Sequence, residues 1–256
     1  MLSRRKEITI RMKIFLIMPL CILFLAVGSV FAGPPYFTDD PESVELGHWE
    51  FYLASEYTNT VGEKSGTEPH IEANYGAFKD VQLHLIAVPA AYDRTVNTNT
   101  RVGFGDTELG VKYRFMHETD AAPQAGTFVL VSLPTGDAGR GLGSGAAKVF
   151  VPVWFQKSFE RWTTYGGGGW WYNPGSGNRN WFYAGWLIQR DIAEFLTIGG
   201  EIFYRSPDTA GGDTGRGFTL GGQLNLSGNQ HLLFSEGRDF SGPNLLTRYI
   251  AYQLTF

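Results

Sequence analysis

From Leu46 to the C-terminus the apolar and polar residues alternate with a period of two, and no long window repeats at the 3.6 residues of a helix. Trp49, Phe51, Leu53 and Tyr57 fall on one side of an extended chain, with His48, Glu50 and Glu56 on the other. Val81, Leu83, Leu85 and Ala87 oppose Gln82 and His84, and Leu109, Val111, Tyr113 and Phe115 oppose Asp106, Glu108, Lys112 and Arg114. Leu196, Ile198, Ile202 and Tyr204 oppose Glu201 and Arg205, and Ile250, Tyr252, Leu254 and Phe256 oppose Tyr249, Ala251, Gln253 and Thr255. The pattern predicts about twelve strands, near 46–58, 68–77, 80–91, 102–116, 125–133, 147–159, 162–172, 180–190, 195–205, 216–226, 230–236 and 245–256.

The predicted connections also alternate. Long ones fall at 59–67, 92–101, 134–146, 173–179, 206–215 and 237–244, and tight ones at 78–79, 160–161, 191–194 and 227–229, with 117–124 longer than the rule. Strands of about ten residues with long loops on one side and short turns on the other suit a transmembrane antiparallel β-barrel, whose tilted strands cross an apolar band about 25 Å tall. In hydrocarbon an open edge strands unpaired N–H and C=O groups, so the first and last strands must pair. A soluble antiparallel sandwich also alternates. Seven tryptophans, twelve tyrosines, nineteen phenylalanines and a terminal Phe favour the barrel, because aromatic girdles absorb such residues and a compact sandwich core does not.

The N-terminus breaks the pattern. Arg4, Arg5, Lys6, Arg11 and Lys13 precede an apolar run from Ile14 to Ala32, and Gly33-Pro34-Pro35 follows, which reads as a signal peptide cut after Ala32. An uncleaved anchor is the alternative; Pro19 within the run and the lack of a charged stop-transfer cluster argue against it. Residues 1–32 are thus a signal peptide, 33–45 a Pro-rich, acidic lead-in or partial plug at the periplasmic mouth, and 46–256 the barrel. A disordered lead-in is the simpler form of that middle segment. Cleavage removes five bases, one acid and Cys21, leaving a body of net charge −8 with no thiol for disulfides or a Cys-based zinc site. A weakly acidic body without a basic patch also excludes a nucleic-acid partner.

The last strand, TRYIAYQLTF, resembles the C-terminal signature of bacterial outer-membrane barrels, which implies a barrel-assembly signal in Tyr252, Leu254 and Phe256 and the barrel-assembly machinery as a partner. The stretches PPYFTDDPESVELGHWEF, VGFGDTELGVKYRF (Val102 to Phe115) and SLPTGD (Ser132 to Asp137) resemble a family of outer-membrane barrels associated with the meta-cleavage pathway of phenol degradation. That resemblance covers most of the body. It implies a channel or transporter of small organic compounds in the bacterial outer membrane.

If apolar faces meet lipid, the charged faces turn inward, and the expected lumen-lining residues are Glu50, Glu72, His84, Asp106, Glu108, Lys112, Arg114, Glu201 and Arg205. Asp106, Glu108, Lys112 and Arg114 form a row running from acidic to basic over about 26 Å. Twelve strands predict a narrow or partly plugged conduit for passive passage. The His48/Glu50 and His70/Glu72 pairs with His84 have metal-ligand chemistry, but hydrogen-bonded lumen lining is the preferred reading, so neither metal nor other cofactor is expected. No Gly-x-Ser-x-Gly elbow occurs, and His231 and Ser235 lie about 13 Å apart in one strand, so no enzyme is expected. Gly141-x-Gly143-x-x-Ala146 lacks the βαβ unit of a dinucleotide site. A non-conducting structural or surface-interaction barrel is the main alternative, a barrel hydrolase the lesser one.

Overall fold

A computed structural model describes residues 35–95 and 99–256. The expected signal peptide lies outside the described residues.

Among them the strands are β1 (Trp49–Thr60), β2 (Glu63–Phe78), β3 (Val81–Ala87), β4 (Ala91–Thr95), β5 (Arg101–Gly103), β6 (Thr107–Met116), β7 (Gln124–Leu133), β8 (Lys148–Phe159), β9 (Trp162–Tyr172), β10 (Trp181–Ala193), β11 (Leu196–Arg205), β12 (Gly215–Ser227), β13 (Gln230–Ser241) and β14 (Leu246–Thr255). Each pairs antiparallel with its neighbours in one sheet, and β1 pairs with both β2 and β14, so the sheet closes. The wall has twelve strands, because β4 and β5 continue β3 and β6 toward the long-loop rim. β3 and β4 pair with successive parts of β2. The expected strands 80–91 and 102–116 are therefore each broken once, at 88–90 and 104–106. Pro89 lacks an N–H for the ladder, and the gap is bridged by Glu68 N donating to Ala90 O at 2.8 Å and Gly105 N to Val88 O at 2.9 Å.

Two expected long loops are shorter than the sequence suggested. The connection at 59–67 shrinks to Val61-Gly62 between β1 and β2, and 237–244 loses its first half to β13, whose Asp239 faces inward. Gly, Ser and Thr dilute the alternation there, but the pairing partners hold the chain extended. The loops at 134–147, 173–180 and 206–214 remain, all on one rim. On the other rim Trp49 N donates to Phe256 O at 2.7 Å and Phe256 N to Trp49 O at 3.0 Å, which sets both barrel ends beside the tight turns.

The lipid face is a belt of exposed apolar side chains: Leu53, Ile71, Leu83, Val111, Val153, Trp186, Ile202, Leu220 and Ile250 among others. At the turn rim Trp49 stacks on Tyr75 at 4.4 Å and Phe51 on Phe256 at 5.7 Å, so the terminal aromatic joins an interfacial cluster. Tyr252 and Phe256 are exposed on this outer face and Leu254 is half-buried.

The glycine run Gly166–Gly169 gives β9 a four-residue stretch without side chains. A Cβ on Gly166 would sit 2.5 Å from the Trp186 ring and one on Gly169 2.7 Å from the Phe150 ring. Rings from β8 and β10 therefore lie flat over β9 on both faces.

Candidate functional site

The lumen is crossed by the lead-in. Pro35 O accepts from Ser235 Oγ at 2.6 Å, on β13. Glu201, on β11, accepts the amides of Phe37 at 2.9 Å and Thr38 at 2.8 Å, and Tyr183 on β10 bonds Thr38 Oγ1 at 2.9 Å. Across the lumen Lys112 Nζ meets Asp39 Oδ1 at 3.0 Å and Asp40 Oδ2 at 3.8 Å. Gln156 Nε2 donates to Glu42 Oε2 at 3.3 Å, and Val44 N donates to Gln82 Oε1 at 3.0 Å before the chain reaches β1. Thr38, Asp40 and Pro41 are shut off from solvent. The close approach to β10 needs Gly185, where a Cβ would collide with Thr38 Oγ1. Burial pushes the Asp40 carboxyl well above the usual range against the opposing pull of Lys112, and burial raises Glu42 likewise.

Two different walls flank this segment. On β1, β2, β3 and β6, with Gln253 of β14, inward residues form two polar chains. Gln253 Nε2 donates to Tyr52 OH at 2.8 Å and Tyr52 OH to Glu50 Oε2 at 2.9 Å. Asn74 Nδ2 donates to Glu72 Oε1 at 2.8 Å, His84 Nδ1 donates to Asn74 Oδ1 at 2.7 Å, and His84 Nε2 faces Glu108 Oε1 at 3.3 Å. On β7, β8, β10 and β11 the inward residues include Phe128, Phe150, Trp154, Tyr183 and Phe203, a buried aromatic cluster continued by Trp171 and Trp181. Phe37 of the lead-in packs edge-on against Phe203 at 5.2 Å.

Of the nine residues expected in the lumen, Glu50, Glu72, His84, Lys112 and Glu201 are buried: Glu201 and Lys112 hold the lead-in, Glu72 and His84 meet each other, and Glu50 accepts from Tyr52 near the turn rim. Glu108 is half-buried beside His84. The other three sit at the rims. The carboxylate of Asp106 accepts Gly136 N at 3.0 Å, Ser144 N at 2.7 Å and Ser144 Oγ at 2.6 Å, which folds the 134–147 loop down. Arg114 pairs with Asp80 of the β2–β3 turn at 2.8 Å, and Arg205 pairs with Asp239 at 3.2 Å. The acidic-to-basic row is therefore divided among a loop, the lumen and a turn.

The motifs GDTELG and SLPTGD prove to be one unit. Thr135 Oγ1 donates to Gly105 O at 3.2 Å and accepts from Thr107 N at 2.8 Å, beside the Asp106 bonds to Gly136 and Ser144. No group of three His, Cys, Asp or Glu side chains suited to a metal ion occurs among the described residues. His48 lies outside the lumen with Nδ1 3.3 Å from Leu46 O, while His70 points in and bonds Thr67 Oγ1 at 2.8 Å.

The expected lumen lining did not count Asp39, Asp40 and Glu42 of the lead-in, nor Glu56 and the inward glutamines, although Glu56, Gln82 and Gln253 fall on the polar faces read from the sequence, and it missed the aromatic wall. The glutamines carried a usable signal: Gln82, Gln156, Gln189 and Gln253 all fall on the inward parity of their strands. The aromatic wall carried little, because β8 runs Val149 to Phe155 without a polar residue.

Between the lead-in and the loop rim a cavity of about 210 Å³ remains, bounded by Asp39, Glu56, Glu72, Glu108, Phe128 and Tyr249 among others.

The sequence matches no protein-family profile and no curated protein. The fold does have solved counterparts. An outer-membrane channel from Pseudomonas putida F1 superposes with a TM-score of 0.65 at 17% identity, over 85% of this chain and 98% of that one. The translocator domain of the autotransporter NalP from Neisseria meningitidis gives 0.53 at 9% identity, over 83% and 89%. The KdgM porin in complex with disordered oligogalacturonate gives 0.52 at 9%, over 80% and 99%. The protein is thus a twelve-stranded transmembrane antiparallel β-barrel of the outer-membrane type. Because one counterpart is a translocator and two are a channel and a porin, the likeness establishes architecture, and function has to be argued from the lumen.

Proposed function

We propose that the protein is a passive channel for small organic solutes in the bacterial outer membrane, exported by residues 1–32, inserted through the barrel-assembly machinery by its last strand, and narrowed by the lead-in. The observation that carries this is the lumen itself: a closed wall whose inward face presents two hydrogen-bonded polar chains, with an open vestibule above one strap of backbone. A barrel serving only as a scaffold has no need of an inward strap held at both walls by Glu201 and Lys112. The channel and porin among the solved counterparts agree with the reading. The resemblance to the phenol-degradation barrels supports small organic compounds as the solutes, and Phe37 and Phe128 give the vestibule apolar surface to hold them.

Planar-bilayer recording of the full chain and of a variant lacking residues 35–45 tests this. The full chain gives small discrete currents, and the deletion raises unit conductance several-fold. No current from either protein, each shown to be folded by its heat-dependent gel mobility, rejects the channel.

A further inference from the structure

The vestibule has a charge imbalance that the wall does not cancel. Asp39, Glu56, Glu72 and Glu108 border it, with the imidazoles of His70 and His84. Lys112 is spent on Asp39 and Asp40 beneath, and His84 is shared between Glu72 at 3.6 Å and Glu108 at 3.3 Å. Arg248 borders the space only by its position on β14; its guanidinium leaves for the outer surface and pairs with Glu236 at 2.7 Å. Among the described residues no hydrogen bond or ion pair reaches the Glu56 carboxylate, which is exposed toward this space.

A second feature lies away from these acids, on β12: Thr219 is 2% exposed and borders the same cavity, yet its hydroxyl has no partner. Tyr249, beside Glu56 on the neighbouring strand, also borders the cavity with an unpartnered hydroxyl. A buried hydroxyl is costly to leave without a partner, so both offer a place for a polar group. The remaining lining includes ring faces of Phe37 and Phe128, and Phe128 already receives a cation on its face, with Lys112 Nζ 4.9 Å from the centroid.

We infer that the vestibule is a binding site for a small organic cation, an ammonium group on a compact apolar body. The ammonium would sit among Glu56, Glu72 and Glu108, and the body against Phe37 and Phe128. The cavity of about 210 Å³ is several times the roughly 30 Å³ that one water occupies in the liquid, and its carboxylates do not converge as metal ligands. The inference rests on the channel reading in that it names the class of solute the lumen holds.

The test is calorimetric titration of the folded full chain in detergent with three molecules of one shape: benzylammonium, benzyl alcohol and benzoate. Benzylammonium is expected to bind at least about tenfold more tightly than either of the others. E56Q is expected to weaken it about tenfold, and E236Q, the same change on the outer surface, to leave it unaltered. Equal binding of all three, tighter binding of benzoate, no binding, or an unaffected E56Q overturns the site. Bilayer conductance separates this from the channel reading: a conducting protein without ammonium binding refutes the site alone, and ammonium binding without conductance refutes the channel alone.

Discussion

The two walls of the lumen are built from one period-two pattern and solve opposite problems. On β1, β2, β3 and β6 the inward positions include acids, amides, two histidines and a lysine, and the buried ones are stabilised by the partners they find. On β7, β8, β10 and β11 a cluster of rings packs beside the glycines of β9, with Gln124, Gln156, Gln189 and Glu201 as the inward polar positions between them. The lead-in joins them, with Phe37 on the aromatic side and Asp39 and Asp40 on the charged side. Facing the interior therefore does not require polarity in this barrel; it requires only that the facing side be filled.

Mutations on each wall can break that contrast. Trp154→Ala removes a 1% exposed ring from the aromatic wall and is expected to lower stability by about 3–5 kcal/mol, read as a fall in the denaturant midpoint of the folded barrel. A neutral result would mean that the rings do not carry that wall. Leu220→Arg, on the lipid face near the middle of β12, is expected to cost about 2–4 kcal/mol in lipid vesicles, whereas Gln189→Arg, facing inward at the turn end of β10, is tolerated. Reversed sensitivities would invert the assignment of faces.

Smaller changes act on function. Glu201→Gln weakens two charge-assisted bonds to the lead-in, each worth about 1.5–3 kcal/mol, and is expected to convert steady current into flickering. A steady trace like that of the unaltered protein would show that Glu201 does not restrain the strap. Lys112→Glu removes the cation that faces Asp39 and Asp40 and is expected to shift reversal potentials toward cation selectivity; an unchanged reversal potential in a folded variant removes Lys112 from the ion path. The smallest effect concerns pH. Docking holds the Asp40 and Glu42 carboxyls above their usual range, so the docked lead-in takes up protons. Its docking is favoured at low pH and lost as pH rises through the raised values. Current should therefore rise with pH over that window, and Asp40→Asn should flatten the rise; a current that falls with pH would contradict the linkage.

Much of this was legible residue by residue. The parity of Phe51 against Glu50, of Val111 against Lys112 and of Ile202 against Glu201 is the parity of outside against inside, since a strand has only two faces. Where the alternation was interrupted, so was the reading. Pro89 and Gly105 conceal the breaks that divide β3 from β4 and β5 from β6, and the ring-rich β8 gives no polar side from which to choose a face. Asp106 and Arg114 share the inward parity of Lys112, yet height along the barrel sends them to a loop and a turn.

By itself, then, the sequence determined that strands form, how many, and which side of each meets lipid, because these depend only on neighbours along the chain and on the solvent each face must satisfy. Only the tertiary structure decided that residues 35–45 turn back into the barrel, that Lys112 meets Asp39 across 73 positions, and that one wall is rings while the other is charge. Those outcomes depend on which strands closure sets opposite one another and on how much space they leave between them, and neither quantity is written in the order of residues.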